Sequence, residues 1–350
     1  MSPRPIGFGI IGTGGMAARM AATLRGLPRV SLLGVASGSG RAAGFAAAHG
    51  IPSAQDSLEG LLALPGLEAV YIGHANAGHA AAIRAAAAAG KAILCEKPFA
   101  LNTAEGAAAL AAVEAAGVLF MEALAPPFLP AYRRLAGQAA ALEGPLHLEA
   151  SFGAPEDPAL RPGLFAPGAG ALRDRGIYLL ALARQLLGPV ESLQAVLRRG
   201  EGGVDTHAAL LLRHAGGHSA HLTASLEALL PNAVTLGARS GLLRLGGHVM
   251  LPESLYHRAA PPPSRQGAEA PGTGLKARLR RSPWLRRLRA ALPQERAEAL
   301  PWGEDPYQWE AAHFCDLLRQ GARRSPVLPP EFSREVLGLI EEAEKNSVLF

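Results

Sequence analysis

Only two of the 350 residues are cysteine, Cys95 and Cys315. One pair cannot build a disulfide framework, and neither cysteine sits in a metal-like cluster, so both are expected to be buried thiols and no metal centre is expected. Long apolar runs are also missing. The most apolar stretches, 80–89 and 107–121, are rich in alanine and broken by Arg84 or Glu114, whereas a membrane-spanning helix needs about 20 strongly apolar residues. A secretory leader is not expected either, because residues 6–11 already read as a strand of the fold, and a cytoplasmic protein follows. Aromatics make up only 5% of the chain, and glycine (41) with proline (28) supplies about a fifth of it. That share stays below the roughly 25–30% of low-complexity sequence.

What is present is 49% hydrophobic residues over a length that suits two domains. The net charge of +5 is local: Lys276, Arg278, Arg280, Arg281, Arg286, Arg287 and Arg289 stand together without an acid, and the rest of the chain is formally −2. A single basic patch of this kind does not describe a nucleic-acid groove, and no nucleic-acid partner is expected.

Through the first 120 residues, apolar runs alternate with helical stretches, which is the pattern of a parallel sheet. Strands are expected at 6–11, 30–36, 69–73, 92–95 and 118–121, and helices from near Gly15, Gly40, Gly78 and Thr103. Asn102 suits an N-cap, with Glu105 placed to return the contact. A dinucleotide-binding domain is therefore expected over 1–122, with the crossing to a second domain between Glu122 and Leu142. Over 123–350 the pattern changes to a strand at 146–152, a helix at 171–187 and several β runs over 190–251, separated by glycine pairs at 202–203, 216–217 and 246–247. Closing helices follow at 309–319 and 334–347. An α/β fold results, with a doubly wound parallel sheet first and an α+β unit with a mostly antiparallel sheet second. Residues 259–301 read as an insertion or long loop.

The strongest local signal is Gly12-Thr13-Gly14-Gly15-Met16-Ala17, which directly follows an apolar strand and opens a helix. A turn this tight needs Gly12, close approach of a diphosphate needs a bare Gly14, and Ala17 lets helix and strand pack closely. The helix N-terminus adds free N–H groups and the positive end of its dipole. A coenzyme without a 2′-phosphate usually meets a carboxylate about 20 residues further on. Here that place reads Ser37-Gly38-Ser39-Gly40-Arg41, and the hydroxyls and guanidinium favour NADP over NAD. Cys95-Glu96-Lys97-Pro98 ends another strand of the same sheet, at the edge where ligands bind. Lys97 would therefore project toward the nicotinamide and could orient or protonate the oxygen on the carbon that exchanges hydride. A surface lysine in an ordinary loop is the alternative from this motif alone.

Taken together, the glycine turn, Glu96-Lys97-Pro98, Met121-Glu122-Ala123, the run from Gly168 to Tyr178 and Tyr307-Gln308-Trp309-Glu310-Ala311 resemble the family of glucose-fructose oxidoreductase, inositol dehydrogenase and dihydrodiol dehydrogenase. The resemblance implies a Rossmann domain followed by an α/β domain whose open sheet forms a homodimer or higher homo-oligomer. It implies that Lys97 is the catalytic lysine, that Pro98 follows it in a cis bond and that Glu96 contacts the cofactor. Asp174 would bind substrate, and Tyr178 would share proton transfer with Lys97. Asn76 and His79 match the family's cofactor loop, which here opens His74-Ala75-Asn76, and Pro126-Pro127 stands where relatives often carry Arg or His.

The reading that results is hydride transfer between NADP, or NAD, and a small sugar, polyol or related diol. A non-catalytic dinucleotide-binding sensor of the same fold is the competing reading. His214, His218 and His221 are read as solvated strand residues rather than metal ligands. In the basic segment 275–292, Trp284, Leu285, Leu288 and Leu292 form an apolar stripe opposite the arginines. A solvated or subunit-covering role is preferred there to peripheral contact with an anionic membrane surface.

Overall fold

The structure, a computed structural model, describes residues 4–261, 282 and 295–349. Its first sheet is parallel and six-stranded: β1 (Ile6–Ile11), β2 (Val30–Ala36), β3 (Ser53–Gln55), β4 (Leu67–Ile72), β5 (Ala92–Glu96) and β6 (Phe120–Ala123). The order β3-β2-β1-β4-β5-β6 is doubly wound, so the chain reverses direction beside β1 and leaves a crevice at the carboxyl ends of the strands. Side-chain alternation explains why both faces are covered. Phe8, Ile10, Tyr71 and Leu94 belong to the core cluster that includes α1 (Gly15–Gly26) and α2 (Ala42–His49), while Ile11, Val70 and Ile72 belong to the one that includes α4 (His79–Ala88) and α5 (Thr103–Ala116).

The five expected strands are present, with β4 and β6 displaced by about two residues from the expected bounds. The reading passed over β3 and α3 (Leu58–Leu62), because segments of three and five residues are too short to show a period. The expected cap on α5 is formed. Asn102 Oδ1 accepts from Glu105 N at 2.8 Å, and Glu105 Oε1 accepts from Asn102 Nδ2 at 3.0 Å.

Beyond β6 the chain passes a 3-10 turn at Pro126–Phe128 into α6 (Pro130–Ala139), which packs on the second sheet. That sheet comprises β7 (His147–Gly153), β8 (Val190–Arg199), β9 (Asp205–His214), β10 (Ser219–Ser225), β11 (Val234–Gly237), β12 (Gly241–His248), β13 (Leu251–Ala259), β14 (Arg296–Ala299) and β15 (Val348–Leu349). Its order is β14-β13-β12-β11-β7-β10-β9-β8-β15, antiparallel except for the pairs β7–β10 and β8–β15. The glycine pairs at 202–203 and 216–217 separate strands as expected, but Gly246-Gly247 lies inside β12, where the register against β13 shifts. Glycine there makes a bulge rather than a turn. The expected helix at 171–187 begins as a π turn over Leu172–Gly176 and becomes regular as α7 (Ile177–Leu187). Of the three histidines, His221 is exposed and His218 Nδ1 accepts from Leu146 N at 2.9 Å. His214 corrects the solvated reading: it is buried, with Nδ1 2.9 Å from the Gly188 carbonyl. The apolar stripe and arginines of 275–292 lie outside the described residues.

The last two helices reach back to the helices of the first sheet. Gln308–Arg319 packs against α1, and Pro330–Lys345 packs against α5, α7 and β8. Phe314 of the first of these helices meets Phe8 of β1 with ring centroids 5.9 Å apart, both rings fully buried. Replacing Phe8 by alanine should therefore cost about 3–5 kcal/mol, the usual range for emptying an aromatic site in a core. A urea titration showing a loss under about 1 kcal/mol would contradict this packing.

Candidate active site

The glycine turn sits where β1 gives way to α1. Gly12 has φ +113°, and a Cβ there would lie 2.8 Å from the carbonyl of Gly73 and from His74 N, so backbone shape and space both demand glycine. Gly14 and Gly15 are bare for a different reason. A Cβ on Gly14 would come no nearer than 3.9 Å to any neighbour, and one on Gly15 would have nothing within 4 Å. Gly14 is also the N-cap of α1, with no side chain bonded to the helix N–H groups and no acid in the first turn. Unclaimed backbone donors at the positive end of a helix, under a surface cleared of side chains, fit the diphosphate of a dinucleotide.

This turn opens on a cleft of about 1180 Å³ that also holds Lys97 and Asp174. Thr13, Met16, Ser37, Arg41, His74, Asn76 and Glu96 line it as well. Thr13 Oγ1 lies 3.4 Å from Ser37 Oγ, Ser37 Oγ 2.8 Å from Ser39 Oγ, and Arg41 Nε donates to Ser39 Oγ at 2.9 Å. Two residues expected to bind cofactor are placed beneath the cleft instead. Ala17 is fully buried in the helix–strand contact. His79 is fully buried, its ring nitrogens 2.8 Å from the Pro98 carbonyl and 3.0 Å from that of His74, and burial lowers its pKa to about 4. The ring thus braces the two loops of the cleft wall. Asn76 Nδ2 donates to the Gly168 carbonyl at 3.1 Å, tying this wall to the loop before the π turn.

Lys97 follows the end of β5, and its bond to Pro98 is cis. Its Nζ donates to Asp174 Oδ1 at 2.7 Å and to the Asp174 carbonyl at 2.8 Å, and lies 5.0 Å from the centroid of the Tyr178 ring. Asp174 lies in the π turn and Tyr178 in the first turn of α7, four residues on, so both face the same ammonium, and π turns recur at functional sites. Burial pushes the Asp174 carboxyl upward, but the charge and hydrogen bond of Lys97, with Arg175 and Arg161 beyond, outweigh it and hold Asp174 below its ordinary range. Burial, then Glu96 and Asp174, push the Tyr178 phenol well above 10, so it keeps its proton. Glu96 accepts from the buried Tyr71 hydroxyl at 2.6 Å; burial raises the pKa of its carboxyl, opposed by that bond and by Lys97.

Tyr178 does not line the dinucleotide cleft. It borders a small apolar pocket with Pro126 and Pro127, which brings the unusual proline pair beside Tyr178. The arginines on either side of Asp174 make their shortest contacts elsewhere, although Arg175 Nε stays 3.8 Å from Asp174 Oδ2. Arg173 forks onto Glu344 at 2.6 and 2.7 Å, and Arg175 holds Glu156. Sequence reasoning missed Arg161 and Gly163, which line the cleft from the loop after β7, and Asp56 and Glu59, which line it beyond β3. Neither pair lies in a segment with a motif, so the sequence carried no signal for them.

A doubly wound sheet with a bare glycine turn, and a lysine–carboxylate pair across the same cleft, define a nicotinamide-dependent oxidoreductase. The chain belongs to the GFO/IDH/MocA oxidoreductases. The oxidoreductase family with NAD-binding Rossmann fold matches residues 6–124, and the GFO/IDH/MocA C-terminal domain matches 138–238. Trans-1,2-dihydrobenzene-1,2-diol dehydrogenase of Bos taurus is 31% identical over 97% of this chain and 96% of its own length, and that of Homo sapiens is 30% identical over the same shares. Among solved structures, a 3-ketoreductase from Actinomadura kijaniata, in complex with NADP and TDP-benzene, superposes with a TM-score of 0.81 at 23% identity, covering 99% of this chain and all of that one. No helix among the described residues is long and apolar enough to cross a membrane.

Proposed function

We propose that this oxidoreductase moves hydride between NADP(H) and a secondary carbinol of a diol or sugar, with Lys97 managing the proton. The observation that carries the reading is the position of Lys97: it shares a cleft with the glycine turn and reaches Asp174 at 2.7 Å. The bound nicotinamide would supply or accept the hydride. An ammonium has three protons, and Asp174 takes two of them through its carbonyl and Oδ1. The third is left to meet a substrate oxygen. In reduction it passes to the oxygen as negative charge develops there; in oxidation the amine takes it back. Asp174 Oδ2 lies 3.8 Å from Arg175 Nε, too long for a firm bond, and is available to accept from a neighbouring substrate hydroxyl. Tyr178, whose ring lies 5.0 Å from the ammonium and outside the cleft lining, would position Lys97 from behind.

The substrate class follows the relatives, which are named as a trans-1,2-dihydrobenzene-1,2-diol dehydrogenase, a 3-ketoreductase and a UDP-N-acetylglucosamine 3-dehydrogenase. The preference for NADP rests on Ser37, Ser39 and Arg41, which join hydroxyls and a guanidinium after β2. Asn76 and the backbone of residues 12–16 would hold the remainder of the coenzyme. The open face of the second sheet, which exposes Val196 and Leu211, suits a homodimer or higher homo-oligomer. Two buried free thiols suit a cytoplasmic protein.

Fluorescence titration with NADPH and NADH, followed by turnover on a panel of diols and sugars, tests the reading. NADPH should bind more tightly than NADH, and Arg41→Gln should weaken NADPH by about tenfold, the effect of one charge-assisted hydrogen bond, while moving NADH much less. Failure of both coenzymes to bind, or equal weakening of both by Arg41→Gln, contradicts it.

A further inference from the structure

The loop between β7 and the π turn carries charge that neither the glycine turn nor the lysine pair explains. Glu156 lies there between two arginines. Arg175, whose side chain is only 4% exposed, holds Glu156 Oε1 through Nη2 and gives Nη1 to the carbonyls of Ala154 and Ser225. Arg161 reaches the same carboxylate only through Nη1, at 3.3 and 3.5 Å. Its side chain is 59% exposed and lines the cleft along with Lys97 and Asp174.

At this end of the cleft, three cations, Lys97, Arg161 and Arg175, stand among the carboxyl groups of Asp174, Glu156 and Glu96, the last of which accepts from Tyr71. Lys97 and Asp174 satisfy each other, and the buried Arg175 takes Glu156 in the tighter contact. Arg161 is therefore the cation least engaged by a carboxylate, and its Nε and Nη2 have no hydrogen-bond partner among the described residues. A guanidinium presents paired donors in a plane, which match the paired oxygens of a carboxylate or phosphate.

We infer that Arg161 is a specificity-determining residue that receives an anionic group, a carboxylate or phosphate ester, carried by the substrate, so that the preferred diol or sugar is an acidic one. The inference rests on the reading of this cleft as the hydride-transfer site. The diphosphate of the coenzyme offers the same chemistry from a second source, and the experiment separates the two.

Calorimetric binding to the NADPH-loaded enzyme compares galacturonate with galactose and glucose 6-phosphate with glucose, in wild type, Arg161→Gln and Arg161→Lys. The wild type should bind at least one acid more tightly than its neutral partner. Arg161→Gln should cut that preference by about tenfold or more, Arg161→Lys should restore part of it, and the Kd of NADPH itself should move less than threefold. A wild type without preference, a preference untouched by Arg161→Gln, or a parallel rise in the NADPH Kd overturns the inference; the last gives Arg161 to the coenzyme. If the wild type turns over no diol or sugar, the hydride-transfer reading fails separately, and the binding comparison still decides the role of Arg161.

Discussion

Lys97→Ala should lower kcat by about 10²–10⁴, the usual contribution of a positioned acid–base group, while the Kd for NADPH changes less than threefold. The ammonium is held between Asp174 and the Tyr178 ring, so on the proposed mechanism its loss removes the proton offered to the reacting oxygen. The glycine turn that would hold the diphosphate is built by other elements and stays as it was. The two halves of the expectation therefore separate, and steady-state kinetics beside a fluorescence titration measures both. The substitution also leaves Asp174 without its partner. The folded pKa of that carboxyl is depressed in the wild type, so the pair contributes stability above the unfolded value of about 3.9 and loses it as pH falls through the folded value. The variant should accordingly lose less stability than the wild type on acidification through that window. A kcat within threefold of wild type would remove Lys97 from the chemistry.

The second large effect concerns Gly14. Its backbone, φ −84° and ψ 179°, is extended, and a Cβ there would meet nothing closer than 3.9 Å, so the protein alone does not require glycine at this position. Aspartate is among the best N-cap residues and would accept from the free N–H groups of α1. Gly14→Asp should therefore leave the melting temperature equal or slightly higher. The same carboxylate would occupy the donors that a diphosphate needs and would repel its charge, so the Kd for NADPH should rise by about 100-fold or more. A structural glycine would give the opposite pair of results, lost stability with binding retained in whatever folds. Gly12 is of that structural kind, since its φ of +113° and the contact with Gly73 already exclude a side chain.

The two glycines illustrate which features were legible in advance. Gly12 to Ala17 follows an apolar strand and opens a helix, and that local order is enough to place a dinucleotide turn, because a tight turn and a helix N-terminus are short-range structures. Lys97, Asp174 and Tyr178 were named from motif resemblance, and the strand end that carries Lys97 could be read from its period. What could not be read was their meeting. Asp174 and Tyr178, four residues apart, were expected on one helix face, but Asp174 lies 77 positions beyond Lys97, and only the packing of the two domains brings that face to the ammonium. His79 shows the reverse case: it fits the family's cofactor loop by position, yet it is buried beneath the cleft, bracing Pro98 and His74.

The sequence alone determined the parallel sheet, its order of alternation with helices, the phosphate turn and the lysine at a strand end, because each depends on residues within one turn or one strand of another. Tertiary structure alone decided the rest. It paired Arg173 with Glu344 and Arg175 with Glu156, set Arg161 at the cleft, laid the helix Gln308–Arg319 against α1, and buried His214. These outcomes depend on which distant carboxylate or carbonyl arrives beside a charged or polar group once both sheets have packed. A charge or an imidazole has no periodicity of its own to announce its partner.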